Sequence, residues 1–381
     1  MSARRGRWIP WVATGAFVAA GGAVAAFVVM PAVEHRGAED RYAQSEAAWQ
    51  EARAGLQAEQ SAWDAADTQA QEALALAAAV TPDAALPYLD EDLVAGVKSA
   101  ESEIEAAYDD VPAAVFGQLA LPDPQTTEEL RNAADALDAL TGEFERAAEQ
   151  YGDVEASVTD LTPELEAAAG AVRDSIPGTA EAVEEANISS TATSRIRLHY
   201  AADSAATSDD NVEYYVTAYA EAAQAVEQSQ ADEMAQKDQG DGLADARLEV
   251  EEFVRSISGG VRVDFDWAPI VNGLGEGDSA GGRVTWQYLD GGSATMELSN
   301  SVAAHWPDSR YESLVAHESG HVITAKCQDM LVDTFDGDAE LMATAWAIGM
   351  GYTDSWGNGV NFYYDGVAPA QDLVDATTGC R

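Results

Sequence analysis

Along the chain the spacing of apolar and polar positions changes texture several times, and each texture predicts a different kind of element. No charged residue occurs from Trp8 to Val33, and Arg4, Arg5 and Arg7 precede that run. A helix of about 20 residues crosses a hydrocarbon core, so a stretch of about 26 predicts a transmembrane helix over 8–33 with some tilt. The arginines of residues 1–7 would stay in the cytoplasm, which leaves the chain from Glu34 onward outside the membrane. The alternative is a cleaved signal peptide, whose apolar core is usually shorter; Val28-Val29-Met30-Pro31-Ala32-Val33 is a poor cleavage site.

From Glu39 to about Val80 the sequence is rich in Ala, Glu and Gln and contains no proline, which favours a continuous helix. Tyr42, Trp49, Leu56, Trp63, Ala70 and Ala77 recur at heptad spacing, and the column three positions later reads Ser45, Ala52, Glu59, Ala66, Ala73 and Val80. Such a seam serves either as a homodimerising stalk or as a surface packed on the chain's own later helices. Pro82, Pro87 and the group Pro112, Pro122 and Pro124 interrupt the helical pattern. Further helices are expected over 88–109, 126–150, 155–175, 179–202 and 211–258, the last interrupted near Gly240-Asp241-Gly242. Their acidic residues read as solvated faces.

After Ser258-Gly259-Gly260 the period switches to two: Val261, Val263, Phe265 and Trp267 alternate with Arg262, Asp264 and Asp266. Arg283–Leu289 and Ser293–Ser299, separated by Asp290-Gly291-Gly292, predict a β-hairpin with Val284, Trp286 and Tyr288 on its greasier face. Ser309-Arg310-Tyr311-Glu312 has the spacing of a capping box, which predicts a helix beginning at Arg310. The expected fold class is therefore α+β: a transmembrane helix, a mostly α-helical region over 34–258 of coiled-coil or bundle type, and a C-terminal α+β domain over 259–381.

Composition narrows the function classes. Twenty Lys and Arg stand against 67 Asp and Glu, a formal net charge of −47. A phosphate backbone would be repelled, so no nucleic acid is expected as a partner. Lys98, Lys237 and Lys326 are the only lysines in an alanine-rich chain, a pattern of GC-rich bacterial genomes, and the expected location is a bacterial cell membrane with the bulk extracytoplasmic. Cys327 and Cys380 suit a single disulfide in that compartment, the other reading being two buried thiols. Cys327 lies six residues after His321, about 240° further round a helix, and cannot share a site with it.

The strongest chemical signal is His317-Glu318-Ser319-Gly320-His321, an H-E-x-x-H sequence. Residues four apart share a helical face, so both imidazoles can converge on one metal while Glu318 sits beside a metal-bound water. Random placement gives roughly 0.006 expected occurrences in this chain. Zn2+ suits neutral imidazole donors, and Glu318 would take the proton of the activated water. The third ligand must be a carboxylate, because no histidine follows His321 and positions 324 and 327 are Thr and Cys. Glu340 is the leading candidate because it opens a second apolar stretch, Glu340–Gly351; Asp336 and Asp338 remain alternatives, with Asp338 also suited to cap that helix.

His317-Glu318-x-x-His321 followed by Glu340 in Asp338-Ala339-Glu340-Leu341-Met342-Ala343-Thr344 resembles the gluzincin class of zinc metallopeptidases, over residues 261–381. The resemblance implies a zincin-like fold, His317, His321 and Glu340 as zinc ligands, Glu318 as general base, and an antiparallel edge strand, Ser293–Ser299 or its partner, that aligns a peptide or protein substrate. Many relatives carry Asp four residues after the third ligand to orient a histidine; here that position is Thr344. An oxyanion-stabilising donor is also implied, with His305, Tyr311, Tyr352, Tyr363 and Tyr364 as candidates. The expected activity is a membrane-anchored zinc peptidase. The competing expectation is an extracytoplasmic helical scaffold whose zincin-like end is structural or inactive.

Overall fold

A computed structural model of the protein describes residues 22–113, 123–239 and 242–381. Most of the expected transmembrane segment, up to residue 21, lies outside the described residues, and among these no helix is long and apolar enough to cross a membrane. The described residues are mostly helical with one small sheet, in keeping with an α+β class. The helices preceding the sheet are α1 Gly22–Val80, α2 Glu91–Tyr108, α3 Thr127–Ala186, α4 Ala192–Thr207, α5 Val212–Lys237 and α6 Ala244–Ile257. Contacts cluster into two compact units, one comprising the described residues up to Ala73 with Glu101–Glu164, the other Leu74–Ala100 with Leu165–Arg381.

In the first unit the heptad seam is buried within the chain itself. Trp49, Leu56, Trp63 and Ala70 are all buried, Trp63 meets Tyr108 edge-on at 5.4 Å, and Arg41 reaches Asp138 at 3.3 Å. The three helices expected between 126 and 202 become two, because α3 continues without a break through the expected gaps at 151–154 and 176–178, with Pro163 and Pro177 inside it. A proline in a helix interior costs about 3 kcal/mol. Here Val158, Leu165, Ala169, Val172, Ile176 and Ala180 keep a helical stripe fully buried past both prolines, which offsets that cost.

The second unit contains the sheet. β1 Arg262–Ala268, β2 Gly282–Gln287 and β3 Ser293–Ser299 lie in the order β1-β3-β2, with β1 parallel and β2 antiparallel to β3. The expected hairpin is thus present, and β1 joins it on the far side of β3. This narrows one expectation: Ser293–Ser299 is the central strand and has no free edge, so of the two hairpin strands it is β2 that presents one.

After the sheet the unit continues through α7 Asn300–Ala304, α8 Ser309–Ile323, α9 Gln328–Asp333, α10 Ala339–Gly349, α11 Val360–Tyr363 and α12 Gln371–Ala376. Helix α8 starts one residue earlier than its sequence predicts. Asp308 is its N-cap, and its carbonyl rather than a Ser309–Glu312 box receives the first amides, from Tyr311 at 2.8 Å and Glu312 at 3.0 Å. One side of α8, through Val315 and Val322, packs with Val263, Phe265, Met296 and Leu298 of the sheet and with Val250 and Val254 of α6. Ile323 at its end belongs to a second core with Met342, Trp346 and Val374. Cys327 and Cys380 form a disulfide across a sequence separation of 53, and the Trp346 indole donates to the Cys380 carbonyl at 2.9 Å. The segment after α12 is therefore tied both to the exit of α8 and to the back of α10.

Candidate metal centre

Helix α8 is buried from Val315 to Ile323, so its two histidines project inside the protein. Gly320, between them, faces α10. A Cβ at this position would stand 2.6 Å from the Ala343 Cα and 2.9 Å from its carbonyl oxygen, closer than carbon atoms pack. The missing side chain is what allows the two backbones to cross in contact. Helix α10 opens with the Asp338 carboxylate accepting from the Leu341 amide at 3.0 Å, which puts Glu340 in the first turn, facing α8. Asp338 is thereby occupied as a cap.

The result is a convergence of three donors. Glu340 Oε2 lies 3.1 Å from His317 Nε2 and 3.3 Å from His321 Nε2. All three ligand atoms fall within 4.8 Å of one another, and among the described residues no other group of three His, Cys, Asp or Glu side chains meets that test. Ligands bound at 2.0–2.1 Å in a tetrahedral shell stand about 3.3 Å apart. Two imidazole nitrogens and one carboxylate oxygen at this spacing fit a divalent ion of the zinc type in both chemistry and separation.

The imidazoles are oriented from outside. His317 Nδ1 is 3.1 Å from the Asn358 carbonyl oxygen and 3.3 Å from Thr344 Oγ1. A carbonyl only accepts, so Nδ1 carries a proton and Nε2 is left to face the donor cluster. The orienting role that an Asp would have at position 344 thus falls to a backbone carbonyl, with the Thr344 hydroxyl beside it. His321 Nδ1 is buried with no hydrogen-bond partner among the described residues, and this ring is held by packing: the Trp286 indole stacks on it at 6.0 Å between centroids, 7° from parallel. Tyr363 stacks similarly on His317, at 5.7 Å and 14°.

Glu318 lies beneath β2. A Cβ on Gly282 would come within 2.2 Å of Glu318 Oε1, so the strand can pass over the carboxylate only as glycine. Burial pushes the Glu318 carboxyl up from its ordinary range, opposed by His321 and His317 and reinforced by Glu340. Burial also acts to raise the Glu340 carboxyl, but the hydrogen bonds from His317 and His321 outweigh it and hold that group well below the usual range. His321 moves the other way: burial disfavours its charge, yet Glu340 and Glu318 raise it overall. Two carboxyls of one site are thus driven apart, Glu318 towards proton uptake and Glu340 towards permanent ionisation.

The five oxyanion candidates separate clearly. His305 pairs with Asp278 at 3.0 Å and Tyr311 donates to the Asp278 carbonyl at 2.8 Å, so both serve the loop before β2. Tyr352 packs edge-on against Phe253. Only Tyr363 at the end of α11 and Tyr364 just after it are at the site: Tyr363 stacks on His317 and feels the charge of Glu340 and Glu318, and Tyr364 has a buried hydroxyl with no hydrogen-bond partner among the described residues, in the field of Asp338 and Glu340. Burial is the main force raising both phenols. Trp286, Asn358, Gly282 and Gly320 were not distinguishable as site residues in the sequence, since their contacts are all distant along the chain; only the placement of Gly320 inside the motif could have hinted at a close helix crossing. A scan against protein-family models, a search of curated proteins and a search of solved structures each return no match to this chain.

Proposed function

We propose that the protein is a membrane-anchored, extracytoplasmic zinc-dependent metallopeptidase with a zincin-like C-terminal domain. The observation that carries this reading is the convergence of His317 Nε2, His321 Nε2 and Glu340 Oε2, with Glu318 buried beside them under an edge strand. A bound zinc ion would supply Lewis-acid polarisation and lower the pKa of water towards neutrality. The remaining work belongs to the chain. Glu318, whose environment favours proton uptake, accepts the proton of the attacking water and returns one to the leaving amine. His317, His321 and Glu340 hold the ion, the Asn358 carbonyl fixes the tautomer of His317, and the stacked rings of Trp286 and Tyr363 restrict water around the ligands. Tyr363, stacked on His317, and the neighbouring Tyr364 are the hydroxyls assigned here to a developing oxyanion. The free edge of β2 supplies main-chain groups for an extended peptide.

The test combines elemental analysis with turnover on the purified protein. One equivalent of zinc is expected, falling in His317→Ala and Glu340→Ala. Glu318→Gln should keep the zinc and lose hydrolysis of an unfolded protein substrate. A parent protein that takes up no zinc in the absence of chelators would sink the peptidase reading and leave the helical scaffold as the protein's role.

A further inference from the structure

Antiparallel pairing makes alternate residues of β2 turn inward and outward. The Ser299 amide donates to the Gly281 carbonyl at 2.9 Å, so Gly281 and the residues of its parity, Arg283, Thr285 and Gln287, face β3. Gly282, Val284 and Trp286 therefore direct their amides and carbonyls to the free edge. These three positions differ in one respect. The Gly282 carbonyl already accepts a hydrogen bond from the Asn272 side chain at 3.0 Å, whereas among the described residues the main-chain groups of Val284 and Trp286 have no partner. The two ends of the edge also meet different parts of the site: Gly282 lies against Glu318, and Trp286 stacks on His321.

We infer that Asn272 limits main-chain recognition by β2 to Val284 and Trp286, so that an extended peptide is gripped on one side of the cleaved bond only. The inference rests on the peptidase reading for the word "cleaved", but the pairing itself does not. An added strand in the more stable antiparallel mode runs opposite to β2. Its residues beside Trp286 and Val284 then precede the one that reaches Glu318, which makes the gripped side the N-terminal one. Past Gly282 the Asn272 carboxamide occupies the position a further pairing would need. The substrate class is thus an extended segment with at least four ordered residues before the scissile bond, those opposite positions 286 to 283, and no length requirement after it. Asn272 is a specificity-determining residue in this scheme and touches none of the metal donors.

The experiment has a binding arm and a cleavage arm, both on the full-length protein. Amide hydrogen exchange is followed in Glu318→Gln with and without a saturating extended peptide, and hydrolysis by the parent is measured on peptides shortened from either end. Protection at Val284 and Trp286 is expected, with cleavage falling about tenfold for each pair of main-chain hydrogen bonds lost by shortening the N-terminal side and little change on shortening the other. Asn272→Gly keeps the positive φ of 50° at this position while removing the cap, and should create a new dependence on the C-terminal side. Cleavage with no protection at Val284 and Trp286, or equal sensitivity to both ends in the parent, overturns the inference while leaving the peptidase reading intact. Protection at those two amides without any hydrolysis supports the pairing and removes the peptidase reading instead.

Discussion

Replacing Gly320 by alanine tests whether the approach of α8 and α10 sets the metal site. Two effects oppose each other. Alanine in a helix interior is favoured over glycine by about 1 kcal/mol. Against this, the new Cβ would sit 2.6 Å from the Ala343 Cα, where carbon atoms prefer about 3.6 Å, so the helices must part by about 1 Å. The obstacle is the main chain of α10, which cannot rotate away, and the overpacking cost belongs near the top of the usual range, about 3 kcal/mol. A net loss of about 2 kcal/mol corresponds to a fall in melting temperature of roughly 4–8 °C. Glu340 lies one turn before Ala343 on the same helix, and metal sites tolerate ligand displacements of only about 0.2 Å. Zinc affinity should therefore fall by at least about tenfold as well. Gly170→Ala serves as the control: it lies in α3 of the same compact unit, and a Cβ there meets nothing within 4 Å. That variant should gain about 1 kcal/mol. Calorimetry with and without zinc, together with competitive zinc titration, reads both quantities. If Gly320→Ala melts as high as the parent and binds zinc equally well, the close crossing does not position Glu340 and the account of the site is wrong.

Thr344→Val should weaken zinc binding by less than about tenfold in the same titration, because the Asn358 carbonyl still holds His317 Nδ1; a larger loss would assign the orienting role to the hydroxyl. Glu184→Gln should destabilise the protein by about 3 kcal/mol at neutral pH, since Glu184 pairs with Arg262 at 2.9 Å and with the buried Arg195 at 3.6 Å, and also contacts His199. Burial raises the Glu184 carboxyl, but Arg262 and His199 overcome this and lower it, so the stabilisation is complete above the ordinary carboxylate range and disappears as pH falls through the depressed folded value. Urea titrations of parent and variant should accordingly converge below about pH 4; a gap that stays constant into acid would refute the ion-pair origin. Cys327→Ser with Cys380→Ser should cost about 4 kcal/mol from loop entropy across the 53-residue separation, seen as a lower denaturation midpoint under non-reducing conditions, and an unchanged midpoint would show that the link adds nothing.

The parts legible in the sequence are those written in local signals. A four-residue histidine spacing, a glycine-rich turn between alternating runs and an Asp two residues before Glu340 each act within a few positions, and α8, the β2–β3 hairpin and the capped start of α10 follow from them. Other features depend on partners far along the chain. The breaks expected at 151–154 and 176–178 arise because a one-dimensional pattern does not weigh the buried stripe that carries α3 through them. The parallel pairing of β1 moves β3 to the centre of the sheet, which no property of Ser293–Ser299 announces. The hold on His317 comes from the carbonyl of Asn358, an atom every residue possesses, so side-chain identity could not single it out. The apparent deficit at Thr344 is in this sense a substitution of backbone for side chain.

The order of strands also bears on how the protein folds. All three strands fall within Arg262–Ser299, so the sheet closes through short loops and incurs little chain entropy. Its links to the preceding helices are of another kind: Asp264 accepts from the Ala192 amide across 72 residues and Arg262 reaches Glu184 across 78. Sheet formation should therefore run ahead of docking onto α3 and α4, whose contacts with β1 close much longer loops. During that interval β2 has the same open edge that it has in the finished protein, and its glycine cap, Asn272, comes from the segment immediately before it. The edge is thus partly guarded from pairing with other unfolded chains as soon as it exists.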